Sequence, residues 1–166
     1  MIRLLSPDDV DLFRSIRLEA LRASPESYAS SVEDWQDLPD QEWRRRLVDN
    51  DVFIAVENHL PVGIMALARQ RPAKKAHRAM IQMVYLRENA RGRGLAEALL
   101  EALVEFARGQ GIRQLELAVS AENDVAIRFY RRRSLTEIGR IPCALLHQGR
   151  EIDEILMARR IVALKN

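Results

Sequence analysis

Arg91, Gly92, Arg93 and Gly94, followed by Leu95 and Ala96, place two cations and two glycines where the apolar run Val84, Tyr85, Leu86 gives way to a helical pattern. Glycine permits positive φ and leaves no Cβ between the backbone and an approaching ligand. Bare amides at the positive end of a helix, with full charge from Arg91 and Arg93 added, are suited to holding a polyphosphate. Neither common nucleotide loop is present. There is no G-x-x-x-x-G-K-[ST], and Glu97 stands where G-x-G-x-x-G needs its third glycine. A solvated turn ahead of a helix would have the same composition, so the assignment rests on a second group of residues.

That group lies about thirty residues further on, in E-N-D-V-A-I-R-F-Y-R-R-R-S-L. Taken together, the two segments resemble the GCN5-related N-acetyltransferases. Arg91 to Ala96 match R/Q-x-x-G-x-G/A, and Asn123, Ala126, Ile127, Phe129 and Tyr130 match N-x-x-A-I-x-[FL]-Y-x-x-x-G-F. The resemblance extends from Ser6 to near Met157. It implies acetyl-coenzyme A as acyl donor, with Arg91, Gly92, Arg93, Gly94, Leu95 and Ala96 around its pyrophosphate. It further implies backbone amides of Val84, Tyr85 and Leu86 beside the thioester carbonyl, where donors would stabilise developing negative charge. Asn123 would cap a helix and contact the cofactor. Tyr130 would touch the cofactor and protonate the departing thiolate, a role open to a phenol of pKa about 10 that stays neutral at pH 7. Four positions depart from the family pattern. Glu88 replaces a frequent proline, Arg133 a commonly apolar residue, and Ser134-Leu135 the usual Gly-Phe. The last asks a residue with a Cβ to make a left-handed turn.

An amine acceptor would also need a base, because an alkyl ammonium of pKa about 10.4 is almost wholly protonated at pH 7. Glu116 is the best-placed acid within a strand, although an ion-paired glutamate would look the same. Ala118, where the family is often acidic, offers nothing, and Glu33, Asp34 and His147 are weaker candidates. Arg132 is expected to reach a phosphate of the cofactor's adenosine end, or else to belong to a solvated face with Arg131 and Arg133. Acceptor choice is expected to lie in Tyr28 to Trp43 and in Ile141 to Arg150, read as loops near the cleft. Trp35 and Trp43 are candidates for pocket lining or for helix packing. Cys143, the single cysteine, has no histidine at telling spacing, which favours direct transfer over an acyl-enzyme.

Elements of a mixed α/β fold are needed to position these groups. Ser6 reads as an N-cap with Pro7 first in a helix that carries Leu12, Phe13, Ile16, Ala20 and Leu21 at helical spacing. A second helix follows Pro39. Val52–Val56 and Val62–Ala68 form a hairpin, and Ala79–Leu86 a further strand. A helix over Leu95–Ala107, a strand over Leu115–Val119, a helix over Asp124–Arg132 and, at the end, two strands of which one contains Ile152–Met157 give the order ααβββαβαββ. The expected fold is a mixed, mostly antiparallel central sheet of six to seven strands flanked by about four helices.

At 166 residues the chain fits one domain spanning residues 1–166, long enough to bury about 70% of its unfolded surface. With 26 Lys and Arg against 24 Asp and Glu, the net charge of +2 makes no global case for nucleic acid or a membrane surface. The basic run Arg69 to Arg78 lacks interleaved aromatics and reads as a solvated loop. His59, His77 and His147 are scattered, so no metal site is expected. The first residues do not read as a signal peptide, and no apolar run approaches the roughly 18 residues of a membrane span, so a cytoplasmic protein is expected. A homodimer is common among proteins of this kind, and sheet-edge or helix contacts would permit one. The expected activity is direct acetyl transfer to an amine, either a small molecule, which is favoured, or a protein N-terminus or lysine. The alternative is an acyl-coenzyme A sensor that has lost the chemistry.

Overall fold

The computed structural model describes residues 1–162 and 164. Its strands are β1 (Ile2–Leu4), β2 (Asp51–Glu57), β3 (Leu60–Arg69), β4 (Arg78–Leu86), β5 (Gln114–Ser120), β6 (Thr136–His147) and β7 (Arg150–Arg160). The helices are α1 (Val10–Ala23), α2 (Asp40–Asp49), α3 (Leu95–Gly109) and α4 (Asp124–Arg132). One seven-stranded sheet runs β1-β2-β3-β4-β5-β7-β6. Its pairs are antiparallel apart from β4 with β5. The fold is therefore the mixed, mostly antiparallel α/β sheet expected, with one strand more than the sequence order counted.

The two faces of the sheet carry two apolar layers. Strand alternation sends Val52, Ile54, Ile64 and Ala66 toward α1 and α2, where they meet Phe13, Ile16, Leu21, Trp43 and Leu47. Phe53, Met65, Leu67, Ile81, Leu115 and Leu117 point the other way, against Leu99, Leu100 and Leu103 of α3 and Ile127 of α4. Trp35 and Trp43 pack with Phe13 at ring separations of 5.2–6.1 Å, which makes them core rather than an open pocket wall.

Three local expectations change. Helix α1 begins at Val10 because the Asp9 carboxylate turns back to accept the Ser6 amide at 2.7 Å and pairs with Arg3, which makes Ser6-Pro7-Asp8 a turn. The stretch Ile141–Arg150 is mainly the edge strand β6 and its turn into β7, not a loop over a cleft. The basic run is held by neighbouring acids, Arg69 by Asp51, Arg71 by Asp49 and Arg78 by Glu116.

The feature that shapes the site is an irregularity in β4. Met83 has φ 55, and the pairing with β3 slips by one residue there. Ahead of the bulge Ala79 and Ile81 face α3. Beyond it Met83 and Tyr85 face α1, and Val84 and Leu86 turn to the α3 layer. The pairing of β4 with β5 covers only Arg78–Met80 against Gln114–Glu116. Past that point the strands part, while β5 continues to Ser120 along β7.

Candidate functional site

The parting of β4 and β5 leaves backbone groups facing a gap. Arg87 donates its amide to Val62 at 2.9 Å and Tyr85 lies in register with Ile64, so both turn toward β3. Alternation then directs the polar groups of Val84 and Leu86 into the gap. Two side chains confirm the direction. The Tyr28 hydroxyl donates to the Val84 carbonyl at 2.7 Å, and Arg91 Nε donates to the Leu86 carbonyl at 3.0 Å. Of the three backbone positions expected beside a thioester, Val84 and Leu86 present amides to the gap. Tyr85 instead sends its hydroxyl to Glu19, at 3.1 Å.

At one mouth of the gap lies the glycine loop. Gly92 and Gly94 have φ of 70 and 78, and a Cβ built on either would meet nothing within 4 Å, so the backbone is open on that side. The Ala98 amide makes the first turn of α3 by bonding to Gly94 at 3.0 Å. The amides of Leu95 and Ala96 precede that bond as donors without an intrahelical acceptor, while the Glu97 amide is taken by its own carboxylate. Such a set fits a pyrophosphate. The expectation that both arginines add charge needs adjustment, because Arg93 is paired with Glu57. A groove of about 440 Å³ between α3 and α4 is bordered by Arg108, Arg132, Arg133 and Arg159 together with Glu97, Glu101 and Glu105, so its walls carry both signs of charge. Arg133 within it is tied to Glu97, and Arg131, outside it on α4, to Glu137.

Helix α4 delivers Tyr130. Asn123 caps the helix by accepting the Ala126 amide at 3.2 Å. At the other end Ser134 takes φ 65, its amide bonds to Arg131, and the Leu135 amide bonds to Tyr130, which closes the helix as glycine would. The departure at Ser134-Leu135 therefore leaves the turn intact. Tyr130 is 5% exposed, and burial, followed by the neighbouring Tyr28, holds its phenol above the ordinary value of 10.

Tyr28 is the residue that sequence reasoning placed only at the edge of an acceptor loop. It stands close enough to Tyr130, Tyr85, Arg91 and Arg17 for their charges to act on one another. Burial raises its own phenol as well. Arg17 was missed altogether. It is 4% exposed among Phe13, Ile16, Ala20 and Leu21, and an arginine interrupting that apolar stripe was the available signal.

Among the base candidates, Glu116 accepts from Arg78 at 2.6 Å and from Gln114 at 2.9 Å. Arg78 holds it below the usual carboxylate range. Glu33 and Asp34 lie exposed in the loop before α2, Asp34 accepting the Ser31 amide at 2.8 Å. His147 sits at the far end of the edge strand β6. The Cys143 thiol is exposed on β6 and raised by Glu151 beside it, the opposite of an activated nucleophile. No helix among the described residues is long and apolar enough to cross a membrane.

Comparison with known proteins adds to this geometry. Residues 16–134 match the model of the acetyltransferase (GNAT) family. An uncharacterized N-acetyltransferase of Methanocaldococcus jannaschii is 30% identical over 140 residues, 82% of this chain and 60% of that protein. An L-methionine sulfoximine/L-methionine sulfone acetyltransferase of Pseudomonas aeruginosa is 31% identical over 96 residues, 58% of this chain and 56% of its own length. The chain thus spans somewhat over half the length of these relatives. In fold it is similar to a GNAT superfamily phosphinothricin acetyltransferase from Sinorhizobium meliloti, solved with acetyl-coenzyme A. The TM-score is 0.82 at 19% identity, covering 98% of this chain and 88% of that one.

Proposed function

Because this chain belongs to the GNAT acetyltransferase family, we propose that it moves an acetyl group directly from acetyl-coenzyme A to an amine, most readily that of a small molecule. The observation that carries the reading is the parting of β4 from β5 beside the glycine loop at the start of α3. The relative that acts on L-methionine sulfoximine supports a small acceptor.

Acetyl-coenzyme A supplies the activated acetyl thioester when bound. The chain's own residues divide the remaining tasks. The amides of Leu95 and Ala96 at the α3 N-terminus, with those of the Gly92–Gly94 loop, would hold the pyrophosphate, and Arg91 adds charge beside them. Backbone amides of Val84 and Leu86 face the gap and would stabilise negative charge on the acyl oxygen. Asn123 fixes the start of α4, and α4 sets Tyr130 where its hydroxyl would give a proton to the sulfur. Burial holds the phenol above 10, which keeps it protonated throughout the working range and also makes it a weaker acid than a free phenol. Direct transfer agrees with the unactivated Cys143.

The test is Tyr130→Phe, followed by thiol release over a panel of amines and by calorimetric binding of acetyl-coenzyme A. Transfer is expected to fall at least tenfold with cofactor affinity unchanged. In the parent, kcat is expected not to fall on the alkaline side up to about pH 10, since the phenol titrates above its ordinary value. Equal rates in parent and variant would remove Tyr130 from the mechanism. Binding without release for any amine would indicate a sensor.

A further inference from the structure

Tyr28 reaches the parted strands from the side opposite Tyr130. The short turn Pro25–Ser27 lies against β5, and the next residue, Tyr28, donates its hydroxyl to the Val84 carbonyl of β4 at 2.7 Å. The loop after α1 therefore straddles the gap between the two strands. Tyr28 packs on the α1 layer of the sheet whereas Tyr130 belongs to the α3 layer, so one phenol approaches from each face. The ring of Tyr28 is fixed as well as its hydroxyl, because the Arg17 guanidinium, buried in the α1 layer, lies 5.0 Å from the ring centroid.

The hydrogen bonding of this hydroxyl leaves it one task. A phenol carries a single donor and two lone pairs. The donor is engaged with Val84, so Tyr28 has no proton to offer an acyl oxygen or a thiolate while that bond lasts. Its oxygen receives no hydrogen bond from the chain among the described residues, and the neighbouring Arg91 directs its Nε to the Leu86 carbonyl instead. The lone pairs are therefore available to an N–H arriving at the gap. Burial holds the phenol above its ordinary value of 10, which suits it to accept a hydrogen bond while keeping its own proton.

We infer that Tyr28 is a catalytic residue on the acceptor side of the gap, its oxygen receiving an N–H of the attacking amine and so turning the nitrogen lone pair toward the acetyl carbon. This inference rests on the transferase reading above. In the reaction the neutral amine nitrogen forms a bond to the acetyl carbon as the carbon–sulfur bond breaks, its electron pair leaving on sulfur. The sulfur takes the proton of Tyr130, the nitrogen gives one proton to solvent, and Tyr130 regains one from solvent. Tyr28 keeps its own proton throughout. Its contribution is the orientation of the nucleophile before the new bond forms.

The experiment follows thiol release from acetyl-coenzyme A with L-methionine sulfone, benzylamine and a peptide bearing a free N-terminus as acceptors. It compares the parent, Tyr28→Phe and a variant carrying p-aminophenylalanine at position 28. Phenylalanine removes both the bond to Val84 and the acceptor. The amino group keeps a donor for Val84, but its lone pair is delocalised into the ring and accepts poorly. Both variants are expected to lose about tenfold in kcat/KM for the amine, the worth of one hydrogen bond, with the Kd for acetyl-coenzyme A unchanged. The amino variant is expected to melt with the parent, so the comparison stands even where Tyr28→Phe folds poorly. Parent rates in the amino variant would overturn the inference, since the hydroxyl would then serve only to tie the loop to β4. Parent rates in Tyr28→Phe would overturn it too, and so would weaker acetyl-coenzyme A binding in both variants, which would give Tyr28 to the cofactor. Acetyl-coenzyme A binding without thiol release from the parent over the whole panel would instead remove the transferase reading itself, and this inference with it.

Discussion

At Ser134 the turn that closes α4 holds a side chain in a conformation that favours glycine. The cost is local, about 1–2 kcal/mol for an L-residue in the left-handed region. Ser134→Gly is therefore expected to stabilise the protein by about 1 kcal/mol, less the extra freedom that glycine gives the unfolded chain, with acetyl transfer unchanged. Urea denaturation at equilibrium checks it, and a lower midpoint would show that the serine hydroxyl contributes more than its backbone costs. Residues of this kind are legible in sequence. Asn123, Tyr130 and Ser134 lie on one helix and its caps, where spacing alone fixes their relation. Tyr28 and Arg17 were not legible as a pair, because a loop from Ser24 to Pro39 must fold back before Tyr28 can lie under the guanidinium. The clue at Arg17, a charge on an apolar stripe, needed the ring partners to acquire a meaning.

At the scale of elements, α3 and the loop ahead of it act together, since Gly94 is both a left-handed residue and the acceptor for the first helical bond. Space around it is open, so the penalty for a side chain is conformational. Gly94→Ala is expected to cost about 1–2 kcal/mol in the loop geometry, which would weaken acetyl-coenzyme A binding by about tenfold where that geometry is required. Titration calorimetry reads the change, and an unaltered Kd would separate the loop from the cofactor. The bounds of α3 and α4 could be read within two residues because their caps and apolar stripes are strong. β1 and β6 could not be read in the same way. Three residues hold too little pattern for β1. The edge strand β6 is mostly exposed and is interrupted at Glu137/Gly139 and at Ile141/Leu145, so no alternation survives in it.

Across the whole molecule, the two apolar layers are separated by a sheet whose middle is joined by one short parallel contact, three residues long on each strand. A ligand seated where β4 and β5 part would touch both halves. Acetyl-coenzyme A at 100 times its Kd is expected to add about 2.7 kcal/mol, which raises the melting temperature of a domain this size by about 5–10 °C. Scanning calorimetry with acetyl-coenzyme A, and with ATP as a control, measures this, and equal shifts with both would point to a general anion effect. Overall architecture was the most legible level, since strand and helix periods repeat over many residues. The seam was not, because nothing in the apolar run of β4 announces where its partner leaves.

The bulge at Met83 divides β4 into two phases, one serving the sheet on each side of it. A one-residue deletion or insertion between Ile81 and Tyr85 would restore a single phase and exchange the layers met by Val84, Tyr85 and Leu86. Chain length is therefore as constrained in this stretch as residue identity. The connection from Pro72 to Ala76, between the anchored Gln70 and Arg71 at one end and His77 at the other, has no such phase to keep and is where a change of length costs less.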